Sequence, residues 1–70
     1  MSKLHYFFLN GQKYGTPDNL SLLELVQYFN YNTALLVLEY NNLICKRKNW
    51  SKIFIQNNDT IEIVTIVGGG

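Results

Sequence analysis

The sequence predicts an α+β domain, a mixed sheet of four to five strands packed on one helix and followed by a flexible Gly-Gly tail. Three observations carry this prediction. An aromatic and aliphatic run ends at Asn10-Gly11, and a helix start with all its parts present stands at Ser21. Two further apolar runs, 34–40 and 60–67, then lead into three closing glycines.

The first strand covers 3–9, where Leu4, Tyr6, Phe7, Phe8 and Leu9 give the density of apolar side chains that a buried strand needs. Asn10-Gly11 is the strongest short hairpin signal, because a type I′ turn requires positive φ at both central residues. Residues 12–16 form the returning strand, short and weakly apolar as suits an edge, and Pro17-Asp18-Asn19 breaks it.

Ser21 is placed to cap a helix. Glu24 three residues later closes a capping box, and Leu20 and Leu25 occupy the two hydrophobic-staple positions. Leu22, Leu25, Val26 and Phe29 share one apolar face, and the helix is expected to end near 30–32.

Residues 34–40 are apolar except for Glu39, which suits a central strand covered on both faces. Asn41-Asn42 can turn the chain into a short strand at 43–45, since asparagine tolerates the left-handed region. Lys46, Arg47, Lys48 and Asn49 read as a solvated basic loop, anchored to the core by Trp50. A polar turn at 56–59 precedes the last strand, 60–67. There Ile61, Ile63, Thr65 and Val67 point one way and Glu62, Val64 and Ile66 the other. A single helix cannot cover both faces of such a sheet. The outline is a β-grasp, with residues 1–67 as the domain and 68–70 as the tail.

Composition narrows the function. A length of 70 residues allows one core, and 47% hydrophobic against 16% charged residues excludes a disordered chain. A net charge of +1 lacks the basic stripe of a nucleic-acid binder, and no apolar run is long enough to span a membrane. One cysteine and one histidine are too few for a usual zinc site and form no internal disulfide. No metal site or bound cofactor is expected. Asn, Ile, Lys, Tyr and Phe abound while Ala and Arg occur once each, a bias toward AT-rich codons of the kind found in organelle genes and some bacteria.

Catalysis finds no support. His5 and Cys45 lie in separate strand-like segments with nothing to orient them, and a lone thiol is usually inert packing. Asp18, Glu24, Glu39, Asp59 and Glu62 are scattered, and no pair has a spacing that suggests acid–base work. The unusual feature is Gly68-Gly69-Gly70. Three glycines have no side chains to block a narrow channel, and the terminal carboxylate of Gly70 is as unhindered toward activation as a residue can be.

These residues resemble the ThiS family, the ubiquitin-like sulfur carriers of thiamin biosynthesis. The resemblance runs through Leu9-Asn10-Gly11, through Leu20-Ser21-Leu22-Leu23-Glu24-Leu25, and through Glu39 to Asn41 with Leu43-Ile44, Arg47 and Trp50. It closes on Asp59-Thr60-Ile61-Glu62-Ile63 and Val67-Gly68-Gly69-Gly70. Three positions depart from the family pattern. Asn42 and Asn58 stand where glycine is usual, and both turns are expected to survive because asparagine accepts positive φ. Lys46 replaces a common proline and is expected to loosen its loop.

The resemblance implies a reaction performed on this chain rather than by it. A ThiF-like adenylating enzyme, using ATP and Mg²⁺, would activate the Gly70 carboxylate. A cysteine desulfurase or sulfur relay protein would supply sulfur to give a C-terminal thiocarboxylate. A ThiG-like thiazole synthase would take that sulfur into the thiazole ring, with Gly68 and Gly69 threading the partner's active site. The expected compartment is a bacterial cytoplasm or, for an organelle gene, a plastid stroma. Val64 and Ile66, apolar on the face opposite Ile61 and Ile63, are expected to form a docking patch near the tail. The related alternatives are a molybdopterin-synthase small subunit and a ubiquitin-like protein modifier. The alternative of another class is a β-grasp interaction module that never reacts.

Overall fold

The computed structural model describes residues 4–17 and 19–66. Strands β1 (Leu4–Leu9), β2 (Gln12–Pro17), β3 (Leu36–Tyr40), β4 (Leu43–Cys45) and β5 (Thr60–Thr65) form one sheet in the order β2-β1-β5-β3-β4. Helix α1 (Leu22–Tyr28) packs on one face of it. The first and last strands run parallel beside each other, and every other pairing is antiparallel. This is the predicted β-grasp, with β5 in the middle.

Alternation along the strands divides the sheet into two faces. Phe7 and Leu9 of β1, Leu38 of β3, and Ile61 and Ile63 of β5 point inward and are buried. They pack with Leu22, Leu25 and Val26 of α1 and with Trp50 and Ile55. Burying side chains of this size contributes about 1.5–3 kcal/mol each, which makes this cluster the main source of stability.

Helix α1 starts as its capping box predicts. Glu24 N donates to Ser21 Oγ at 3.1 Å, and Ser21 N donates to Glu24 Oε1 at 3.0 Å. Its end comes sooner than expected, with Phe29 as the C-cap. Asn30 then takes φ 60° while its N–H reaches Gln27 O, and Tyr31 N reaches Val26 O. That double closure satisfies the last carbonyls and stops the helix. Phe29 turns its ring edge-on to Tyr14 of β2, at 5.5 Å between centroids.

Other boundaries also shift. Strand β2 runs through Pro17, which an outer strand tolerates because its free edge does not require every donor. Residues 33–35 form a 3₁₀ turn capped by the Asn32 side chain, so β3 begins at Leu36 rather than at Ala34. Strand β5 ends at Thr65, with Ile66 outside it, while Val67 lies outside the described residues. The expected loose basic loop is instead a 3₁₀ helix, Arg47–Lys52. Trp50 is its anchor, 2% exposed, with Nε1 donating to Cys45 O at 2.9 Å. Asn49 N bonds Lys46 O and Arg47 Nη1 reaches Thr33 O, so local and tertiary bonds hold the segment despite Lys46.

The turns rest on asparagine. Every non-glycine residue at positive φ among the described residues is an asparagine: Asn10, Asn19, Asn30, Asn41, Asn42 and Asn58. Asn10 (φ 50°) with Gly11 (φ 82°), and Asn41 (φ 51°) with Asn42 (φ 72°), supply the paired positive φ values of two-residue hairpins. Asn42 and Asn58 therefore occupy the glycine-like positions anticipated for them.

Candidate docking face and approach to the C-terminus

Strand β5 is held on both sides before it leads toward the terminus. Its even-numbered residues bond to the β3 side, from Thr60 O accepting Asn41 N at 2.7 Å to Ile66 N donating to Leu35 O at 2.5 Å. On the β1 side the backbone ladder ends early, with Phe8 N on Asp59 O and Asn10 N on Ile61 O. Side chains continue it. Ile63 N donates to Asn10 Oδ1 at 2.8 Å and Asn10 Nδ2 donates to Ile63 O at 3.3 Å, while on the β3 side Thr60 N donates to Asn41 Oδ1 at 2.8 Å.

The start of β5 is fixed by a buried carboxylate. Asp59 accepts from Gln56 N at 2.7 Å, from Tyr40 Oη at 2.5 Å and from Asn41 Nδ2 at 3.0 Å. Burial first, and then the bond to Asp59, push the Tyr40 hydroxyl up to about 12. Asp59 is thus a structural hub that closes the turn before β5.

The outer face of the sheet, opposite the helix, is where the apolar residues near the chain end collect. Val64 is 58% exposed and Ile66 52%, far from the buried state of Ile61 and Ile63 on the other face. Val37 stands directly across from Val64, and exposed Leu35 adjoins Ile66. Ile44 of β4 is exposed on the same face. Sequence reading identified Val64 and Ile66 and missed Val37 and Ile44. The period-two alternation of β3 and β4 carries that signal, but only the strand register assigns its face. Gly68, Gly69 and Gly70 lie outside the described residues.

One pair on this face runs against ordinary sheet design. Glu39 and Glu62 are directly opposite in the β3–β5 register, and Ile44 stands across Glu39 on the other side. The alternation of backbone bonds makes this a hydrogen-bonded pair, with Cα atoms about 5.5 Å apart.

His5 and Cys45 are not brought together. His5 is on β1 and Cys45 on β4, with β5 and β3 between them. Burial pushes the Cys45 thiol up, away from the thiolate that a nucleophile requires. Among the described residues, no helix is long and apolar enough to cross a membrane.

Comparisons with known proteins agree with this geometry. The ThiS family matches residues 7–70. The uncharacterized protein ycf40 of Trieres chinensis is 64% identical over 64 residues, covering 91% of this chain and 88% of the relative. Its namesake in Porphyra purpurea is 32% identical over 62 residues, covering 89% and 87%. The crystal structure of the thiamine biosynthesis protein ThiS of Geobacter metallireducens superposes with a TM-score of 0.78 at 19% identity. That alignment covers 93% of this chain and 99% of the other, and it shows a shared fold.

Proposed function

The chain belongs to the ThiS family of ubiquitin-like sulfur carriers, and from that premise we propose that Gly70 carries sulfur as a thiocarboxylate for assembly of the thiamin thiazole ring. The carboxylate would attack the α-phosphorus of ATP, releasing pyrophosphate and leaving an acyl-adenylate. A persulfide sulfur displaces AMP, and a thiol then cleaves the resulting S–S bond to free the thiocarboxylate. A ThiF-like enzyme with ATP and Mg²⁺ performs the first step, and a ThiG-like thiazole synthase accepts the sulfur. This chain supplies the reacting terminus and the surface that delivers it.

The observation that carries this reading is the family match, which runs to Gly70 itself. The position of β5 supports it. A strand in the middle of the sheet gives the segment after it a rigid base, and the apolar residues Val64 and Ile66 lie beside the exit. They are the proposed docking patch, with Gly68 and Gly69 as the stem that enters the partner. The ycf40 relatives support a plastid stroma as the compartment.

The test is intact mass after incubation with ATP, Mg²⁺, a ThiF-like enzyme and a sulfur source. A gain of one sulfur for one oxygen, absent when Gly70 is deleted, is the expected result. An unmodified chain, under conditions that convert another carrier, would overturn the reading in favour of an interaction module.

A further inference from the structure

We infer that Asn32 is a positioning residue for the reaction at Gly70. By capping the 3₁₀ turn at 33–35 it stops the β3–β5 ladder at Ile66, so that the pairing does not run on into the glycines. The inference rests on the sulfur-carrier reading above and adds what presents the terminus to the partner.

Leu36 faces Thr65 in the β3–β5 register, so a continued ladder would set Leu35 against Ile66, Ala34 against Val67 and Thr33 against Gly68. Hydrogen-bonded pairs alternate along an antiparallel ladder. The bond from Asn41 N to Thr60 O fixes their phase, which makes Leu35–Ile66 and Thr33–Gly68 the next pairs due to exchange bonds. The first of these bonds forms, with Ile66 N donating to Leu35 O at 2.5 Å. Its return bond needs Leu35 N, which donates instead to Asn32 O at 3.0 Å. The next acceptor, Thr33 O, is turned to Arg47 Nη1 at 3.5 Å. The turn thus diverts the groups with which β3 would capture the end of the chain.

The apolar runs at 34–40 and 60–67 would by themselves carry both strands past this point. Ala34 and Leu35 are exposed, so local bonds rather than core packing hold the turn, and Asn32 Oδ1 supplies one by accepting from Ala34 N at 3.1 Å. The net worth of a ladder bond and the entropy lost in fixing a residue are of similar size, so one cap decides between turn and strand. Without the cap, a fraction of chains would zip the segment after Ile66 against an extended 33–35. The partner acts on the remainder, and its apparent affinity falls by the competent fraction while the chemistry once bound is unchanged.

The test compares the full chain with Asn32→Ala, which removes the cap, Ala34→Val, which favours an extended turn segment, and Asn32→Ser, which keeps a capping oxygen. Carbon chemical shifts of 33–35 report turn against strand, and intact mass reports conversion by the ThiF-like enzyme with ATP, Mg²⁺ and a sulfur source. In Asn32→Ala and Ala34→Val the shifts are expected to move toward extended values, and KM to rise about fivefold at unchanged kcat. Asn32→Ser should match the native chain in both readouts. A native chain that is converted, with extended shifts but an unaltered KM in both variants, overturns the inference and leaves the carrier reading intact. Unmoved shifts in both variants, a fall in kcat instead of a rise in KM, or a loss that serine does not repair overturn it likewise. A native chain that is not converted, under conditions that convert another carrier, overturns the carrier reading and the inference with it.

Discussion

Asn10 and Ile63 exchange two hydrogen bonds across the place where β1 has already turned away from β5. The asparagine amide stands in for a missing peptide group, accepting from Ile63 N and donating to Ile63 O. The same residue opens the β1–β2 hairpin at φ 50°. One side chain thus sets a turn and seals the inner edge of the strand that leads to the terminus.

Asn10→Ala removes both bonds and places a residue intolerant of positive φ in the turn. A loss of about 2–4 kcal/mol in urea unfolding is expected. Asn10→Gly restores the turn alone and should recover about 1–2 kcal/mol of that loss.

Asn42 and Asn58 differ from Asn10 because no side-chain bond accompanies their positive φ of 72° and 71°. Asn42→Gly and Asn58→Gly are therefore expected to fall within about 0.5 kcal/mol of wild type in the same unfolding experiment. The alanine variants should each lose about 1–2 kcal/mol.

Tyr40 imposes an alkaline limit. Its folded pKa of about 12 lies above the ordinary value of 10, so the folded state keeps a proton that the unfolded chain releases. The contribution of Tyr40 to stability is complete below pH 10 and is lost between 10 and 12. Near-ultraviolet titration of the phenolate checks this. Asp59→Asn should lower the Tyr40 pKa only part of the way, because burial is the larger cause.

Val64 and Ile66 separate docking from folding. Both are more than half exposed, so Val64→Asp and Ile66→Asp should leave the far-ultraviolet circular dichroism and the melting temperature close to wild type. Conversion by the ThiF-like enzyme should fall at least about tenfold in kcat/KM through lost apolar contact. Unchanged conversion by both folded variants would remove the patch from the interface.

The elements that depend on local chemistry were legible in the sequence. Asn10-Gly11, the Ser21–Glu24 capping box and the alternation of β5 each state their structure within a few residues. The two 3₁₀ segments were not, because a turn or two of helix has no period to detect, and Trp50 and Arg47 hold the second through carbonyls outside it, Cys45 O and Thr33 O. Of the candidate docking face, Val64 and Ile66 could be read from the alternation along 60–67. Val37, Ile44 and the meeting of Glu39 with Glu62 required the β3–β5 and β3–β4 registers. The role of Asp59 was hidden for the same reason, since its partners Tyr40 and Asn41 come from another hairpin.

The staple at Asn10 also bears on the chemical lifetime of the molecule. An asparagine followed by glycine is prone to deamidation, in which the next backbone nitrogen closes on the side-chain carbonyl and ammonia departs. Here both amide atoms are engaged by Ile63, and the ring cannot close until they let go. Deamidation would replace the Nδ2 donor with an acceptor facing the Ile63 carbonyl, so each aged copy has a weakened seam between β1 and β5. The speed at which this happens in a resting sample is then a clock for how often that seam opens.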